Sequence, residues 1–304
     1  MNKWTTFRKK EFKSTKEVIA ANTDLNWSVS SKNICIQGGA IINGKKAIIR
    51  NDTNEVLGVV NSSFKYVQNS EAFSIYDDFL KKRKVFCQMT GLIGKGEKVW
   101  FLINLNNNLK IANNDSIQRC ILISNAHDGR GSIRAYFVPI RIISQTLLNI
   151  AFGKRVDQGI QIRHIGKIEQ RLKEAHALHD LSFEFYREFE EKVQILTNCK
   201  FNQRKMSMFF ENCFHNYSFD STRTQNTIQK IKVLYEKEVK LFPNYINSAW
   251  AWFNALVGFV DNERISKGKS LQERNSNHIE SLFWGSGLRL KQKAWETIQT
   301  IIKI

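Results

Sequence analysis

The sequence predicts an α+β protein: a strand-rich N-terminal half built on a mixed or antiparallel sheet, and a helical C-terminal portion. Three observations carry this. Short apolar runs with period-two alternation, punctuated by glycine and asparagine, fill the first 165 residues. From residue 167 onward, apolar residues recur at threes and fours, the period of a helix packed on one face. The chain has 304 residues, 42% of them hydrophobic and 12% aromatic, enough to build a core for two domains or one large one. The change of period divides it into a basic strand-rich α/β domain over 1–165 and a helical domain over 166–304.

Residues 1–16 are basic, with Trp4, Phe7 and Phe12 interleaved, which suits either an arm packed on a partner or on nucleic acid, or a frayed tail. No apolar stretch follows them, so they do not read as a secretory signal. Residues 28–37 alternate as a strand. Ile41–Ile49 reads as a hairpin, because Asn43-Gly44 suits a two-residue type I′ turn. Another strand is expected at 55–60. Asn69 or Ser70 is placed to cap a helix running to about Lys82, with Glu71 in its first turn and Lys81 to Lys84 at its end. Val85–Thr90 and Lys98–Leu105 read as paired strands around the glycine-rich stretch Gly91–Gly96. That stretch lacks a following Gly-Lys-Ser/Thr and leads into a strand, so it is a hairpin loop and not a phosphate loop.

The chain is organised around residues 121–151. Ile121–Ile123 is an apolar run short enough for a buried strand, and it breaks at Asn125-Ala126-His127-Asp128-Gly129. A second run, Ile133–Ile143, carries Arg134 and Arg141; Pro139 within it predicts an edge or a bulge. From Ser144 the segment is expected to turn helical, with Gln145 and Asn149 on one face. After Arg163-His164 an amphipathic helix, continuous or broken, is predicted over 167–196. Further helices follow at 226–241, 245–260 and 288–302, with a polar loop at 261–277.

Lys plus Arg number 46 against 28 acids, a formal charge of +18. Residues 1–165 hold 25 basic and 12 acidic residues, a surplus of 13, and the remainder a surplus of 5. A field of that sign concentrates polyanions, most commonly nucleic acid. Cys35, Cys87, Cys120, Cys199 and Cys213 are scattered, with no Cys-x-x-Cys pair, as expected of free thiols in a reducing compartment. No apolar run reaches the roughly 20 residues of a membrane span.

The candidate chemistry falls into two groups. Lys65, Tyr66, Arg130, Arg134, Arg141 and Arg163 are the candidate nucleic-acid contacts: the cations on phosphates, Tyr66 stacked on a base. Asn125, His127, Asp128 and Gln145 form a candidate functional loop. There His127 is open to three roles: general base, ligand contact, or structural donor beside an Asx turn at Asp128-Gly129. His176 and His179 share a helical face without a third ligand, so no metal site is expected, nor any cofactor.

Asn125, His127-Asp128-Gly129, Arg134, Phe137, Pro139, Arg141 and Gln145-Thr146-Leu147 together resemble the signature of a family of phage- and plasmid-borne proteins described as a domain of unknown function. Leu57-Gly58-Val59-Val60, Tyr66-Val67-Gln68-Asn69, Glu71-Ala72-Phe73 and Arg163-His164 are similar to further blocks, and Trp252-Phe253-Asn254-Ala255 and Phe283-Trp284-Gly285 with Leu290-Lys291 are weaker echoes. The resemblance spans the chain from about residue 55 and implies a mobile-element setting without assigning a reaction. Where the family often carries a cysteine before the Gln-Thr-Leu run, this sequence has Ser144, which argues against a cysteine nucleophile.

Two functions from different classes fit. One is a phage or plasmid nucleic-acid-binding protein that supports recombination or replication by holding single-stranded DNA; the basic front half favours it. The other is a counter-defence protein that binds and blocks a host anti-phage nuclease complex; the long helical back portion and its aromatics Trp250, Trp252, Phe253, Phe259, Phe283 and Trp284 offer surface for it. An enzyme acting through His127 is a third reading, and the missing nucleophile and metal constellations lean against it. Both leading readings place the protein in the host-cell cytoplasm, and the helical aromatic stripe suggests a homo-oligomer.

Overall fold

The computed structural model describes residues 5–6, 12, 14–21, 25–77, 85–112, 114–144, 146–148, 159–174, 178–214 and 221–303. Its strands are β1 (Thr5–Thr6), β2 (Val29–Cys35), β3 (Ile41–Arg50), β4 (Val56–Asn61), β5 (Phe86–Ile93), β6 (Lys98–Asn104), β7 (Leu109–Ala112), β8 (Asp115–Ala126), β9 (Ile133–Arg141), β10 (Thr146–Leu147) and β11 (Gly159–Ile162). The α-helices among the described residues are α1 (Thr15–Ala20), α2 (Asn69–Phe73), α3 (Ile168–Glu174), α4 (Leu178–Asn198), α5 (Gln203–Phe214), α6 (Thr222–Leu241), α7 (Ala249–Gly258), α8 (Leu271–Phe283) and α9 (Ser286–Ile301). The α+β class holds, with antiparallel pairing in the N-terminal half and helices after it.

The chain forms two compact units. The first takes residues 1–107, 119–137 and 156–183; the second takes 108–118, 138–155 and 184–304. The boundary expected at 165/166 therefore falls inside the first unit, and the chain passes between the units several times.

In the first unit, β2-β3-β4 make one antiparallel sheet, and β1-β5-β6-β8-β9 run in that order with β11 on β9. The β5–β6 hairpin closes at Gly94–Glu97, as the glycine-rich connection predicted. Its core is aromatic and aliphatic: Phe73 stacks on Phe101 with centroids 4.0 Å apart, and Trp100 is buried against Gly91, where any Cβ would meet the indole. Each such buried side chain contributes roughly 1.5–3 kcal/mol.

The hairpin expected at Asn43-Gly44 does not form. β3 runs unbroken through it, and the chain reverses instead at Gln37–Ala40, where Gly38 and Gly39 take φ of +110° and +92°. Gly44 does adopt the left-handed conformation the turn would need, at φ +76°, but it spends it on a strand irregularity. Regular pairing from Asn33–Lys46 would set Cys35 opposite Gly44; it lies opposite Ile41.

The start of α2 also differs from expectation. Gln68, not Asn69 or Ser70, is the N-cap, with Glu71 accepting the Gln68 N–H at 3.1 Å. The Gln68 side chain is drawn away to pair with both backbone groups of Val29. The expected continuation to Lys82 lies outside the described residues.

In the second unit, the remaining ends of β8 and β9 carry β7 and β10. Thr146–Leu147 is thus a strand and not the start of a helix. Pro139 falls between Tyr136, where β11 ends its pairing, and Ile140, where β10 begins, so its missing N–H interrupts neither ladder. Around these ends the unit is helical. α7 is buried over Ala249–Val257, an apolar helix with no solvent face, capped by the Ser248 hydroxyl accepting from the Ala251 N–H. Phe253 packs edge-on against Trp295, and Phe189 stacks on the same indole. Of the stretch read as a polar loop at 261–277, residues 264–270 are irregular, but its start completes a π-turn at Phe259–Glu263 and its end is helical, in α8, capped by Ser270. No helix among the described residues is long and apolar enough to cross a membrane.

Candidate functional site

The loop after β8 is held against β4 by two glycines. A Cβ on Gly58 would lie 2.7 Å from the Asp128 Cα, and one on Gly129 would lie 2.6 Å from Val60 Cγ1. Gly129 also takes φ +75°, so both close approach and backbone conformation demand glycine there. Asp128 Oδ1 accepts the Arg130 N–H at 2.9 Å, the Asx turn read from the sequence.

This packing seals Asn125 and His127, both fully buried on the same side of the chain. His127 Nε2 donates to Asn69 Oδ1 at 2.9 Å. The Asn125 amide donates to the Val67 carbonyl at 3.0 Å and to Asn69 Oδ1 at 3.2 Å. Because Asn69 Oδ1 can only accept, His127 carries its proton on Nε2 and leaves a lone pair on Nδ1. Burial pushes its pKa down to about 3, with His164 adding a smaller effect in the same direction, so His127 is neutral at ordinary pH. Trp27 tilts against its ring at 5.5 Å, and the Arg50 guanidinium lies over that indole, 4.5 Å from its centroid.

His164 repeats the pattern. Its Nδ1 donates to the Lys65 carbonyl at 3.0 Å, its carbonyl accepts the Lys65 N–H at 2.7 Å, and its ring stacks on Phe64 at 4.7 Å. Burial lowers its pKa as well. His127 Nδ1, Asn125 Oδ1 and His164 Nε2 have no hydrogen-bond partner among the described residues; all three present lone pairs. No group of three or more His, Cys, Asp or Glu residues placed to hold a metal ion occurs among the described residues.

The consequence lies in what these side chains grip. Asn125 holds the carbonyl of Val67 and His164 holds both backbone groups of Lys65. Tyr66, between them, is held by its neighbours' backbone and is 37% exposed. Tyr66 and Lys65 line a groove of about 870 Å³ in this unit, together with Lys16, Lys167, Glu71 and Glu169. Arg163, next to His164, is also exposed.

The structure thus places Lys65 and Tyr66 on one clamped segment, with Arg163 on a second one, next to the His164 that grips Lys65. Arg130 is exposed on the loop, and Arg134 is half-buried, donating to Ser132 Oγ at 3.1 Å. Gln145 lies outside the described residues. Arg141 is no phosphate contact: it is fully buried in the second unit, bidentate to Asp115 at 2.7 and 2.9 Å and paired with Glu238 at 2.7 Å. Tyr245 OH and Trp250 Nε1 also donate to Asp115, and the guanidinium lies over Phe242 at 4.8 Å. These donors satisfy a charge that would otherwise be costly to bury. Asn69, Lys16 and Lys167 join the site as residues the sequence does not point to as functional; Asn69 reads there as a helix cap and as part of a family-like block.

Of the aromatics that favoured a protein-binding surface, Trp250, Trp252, Phe253, Phe259 and Phe283 are buried. No curated protein and no solved structure matches the chain. A family model does match, over residues 56–283, from β4 through α8, taking in Tyr66, Asn69, Asn125, His127 and His164 but neither Trp27 nor Arg50. By that match over most of its length, the chain belongs to the family described as a domain of unknown function, DUF932.

Proposed function

We propose that the protein binds nucleic acid, holding a single strand along the groove of its first unit. The observation that supports this best is the fixing of Tyr66. An exposed aromatic flanked by Lys65, with Lys16, Lys167 and Arg163 on the same unit, has the composition of a stacking platform with phosphate contacts. The neutral Asn125–His127–Asn69 cluster and His164 act through the backbone, holding the platform in place before a strand arrives. Glu71 and Glu169 share the groove and limit its local charge, so stacking carries much of the affinity. The surplus of 13 positive charges over residues 1–165 supplies long-range attraction. A phage or plasmid setting, action in the host cytoplasm during recombination or replication, and self-assembly belong to the same proposal.

The test compares wild type, Tyr66→Trp and Tyr66→Ala on a labelled oligothymidine by fluorescence anisotropy. Tyr66→Ala is expected to lose about 1–3 kcal/mol of binding, with the indole restoring it. Equal affinities for all three would reject the platform.

A further inference from the structure

We propose that the outer end of the β2–β3 ribbon is a second nucleic-acid element, one that enters the groove of a duplex. The proposal rests on the nucleic-acid reading above but on different residues, and these precede the stretch that matches the family model.

The ribbon leaves the body of the first unit. Burial ends at Ala47 on β3, and every residue from Cys35 to Lys45 is exposed. β4 pairs with β3 only as far as Lys45–Asn61, so the outer part is two-stranded. A Cβ added to Gly38, Gly39 or Gly44 would meet nothing within 4 Å, so the tip stands in open space. Yet the tip is apolar: Ile36 is 56% exposed, Ile41 55% and Ile42 39%. Isoleucines displayed on a free-standing turn cost solubility and contribute nothing to this unit's core.

The charge says what would cover them. Residues 28–49 contain Lys32, Lys45 and Lys46 and no Asp or Glu. Lys32 pairs with Ala47, and the next row pairs Asn33 with Lys46, so cations occupy both faces at the ribbon's base. Lys45 is steered by its bond to Asn61 Oδ1 at 2.7 Å. An uncharged apolar tip beyond a cationic, acid-free base is complementary to duplex nucleic acid, whose phosphates rim a groove floored with base edges. The major groove, about 12 Å wide, admits a two-stranded β-ribbon. In this arrangement the ribbon enters tip-first, so that Ile36 and Ile41, in adjacent rows on opposite faces of the turn, both reach the floor and the lysines meet the flanking phosphates.

The experiment measures binding of the full chain to an oligothymidine and to a blunt duplex at low salt. Two variants are used: the ribbon variant Ile36→Ser, Ile41→Ser, Lys32→Ala, Lys46→Ala, and the platform variant Tyr66→Ala. Thermal melting checks that both remain folded, which the ribbon's isolation from the core predicts. The ribbon variant is expected to bind the duplex at least tenfold more weakly and the single strand within twofold of wild type; Tyr66→Ala is expected to do the reverse. Wild-type binding to the single strand alone, unchanged duplex binding in the ribbon variant, or an equal loss on both probes would overturn the ribbon proposal and leave the platform standing. Binding to neither probe would overturn both.

Discussion

The two units each bury a polar cluster on a segment of the same central stretch, and they handle burial in opposite ways. In the first, Asn125, His127, Asn69 and His164 are neutral, and several of their acceptors stay unpaired among the described residues. In the second, Arg141, Asp115 and Glu238 are ionisable and tightly paired, as are Lys291 and Asp261 at 3.0 Å, where Asp261 also accepts the Leu147 N–H. The charged clusters tie distant chain segments to one another and present nothing to solvent. The neutral cluster grips the backbone on either side of an exposed tyrosine. Burial of a polar residue is therefore no guide to its role here; what its partner is attached to distinguishes the two.

The largest expected effect lies in the charged cluster. Arg141→Ala leaves Asp115 and Glu238 buried without their cation, and is expected to cost about 3–5 kcal/mol in urea unfolding. A loss under 1 kcal/mol would mean that Tyr245 and Trp250 suffice for Asp115, erasing the contrast. In the neutral cluster, Asn125→Ala frees the Val67 carbonyl and removes one donor to Asn69. About 1–3 kcal/mol of stability should go with it, the cost of an unsatisfied buried group. Strand binding should weaken as well, because Tyr66 loses its anchor. Lost stability with intact binding would separate the cluster from the platform.

A further effect comes from pH. His127 is held neutral, its pKa lowered from 6.5 to about 3, while the unfolded chain takes up a proton near 6.5. The unfolded state thus binds more protons between those values, so the contribution is whole above about pH 6.5 and shrinks as pH falls toward 3. His164, lowered too, acts in the same sense. His127→Gln should flatten the stability profile across that interval. An unchanged profile would indicate that His127 is not held neutral by the fold.

The strand-then-helix order was legible because burial of one face imposes period two or 3.6 on the sequence, and β5–β6 and α6 followed it. Asn43-Gly44 misled because a left-handed glycine serves a strand irregularity as well as a turn, and only pairing with β2 and β4 distinguishes them. The 261–277 stretch misled because α8 buries little beyond Leu282 and Phe283, so its sequence reads as solvated. At the site, Asn125, His127 and Tyr66 stood out by type and context. Asn69 did not, since its amide meets them only through the fold, and neither did Lys16 and Lys167, two lysines among many. Arg141 was legible as important but not as buried, because its acids, Asp115 and Glu238, lie 26 and 97 positions away.

The central claim, that Lys65, Tyr66 and Arg163 form one strand-binding platform, is tested most directly by a salt titration of binding to a labelled single strand. Log affinity should fall linearly with log salt, with a slope of about −0.7 per phosphate neutralised. Lys65→Ala and Arg163→Ala should each make it shallower by about 0.7, whereas Tyr66→Ala should weaken binding at every salt concentration and leave the slope unchanged. No binding at low salt, or slopes indifferent to both cations, would contradict the account.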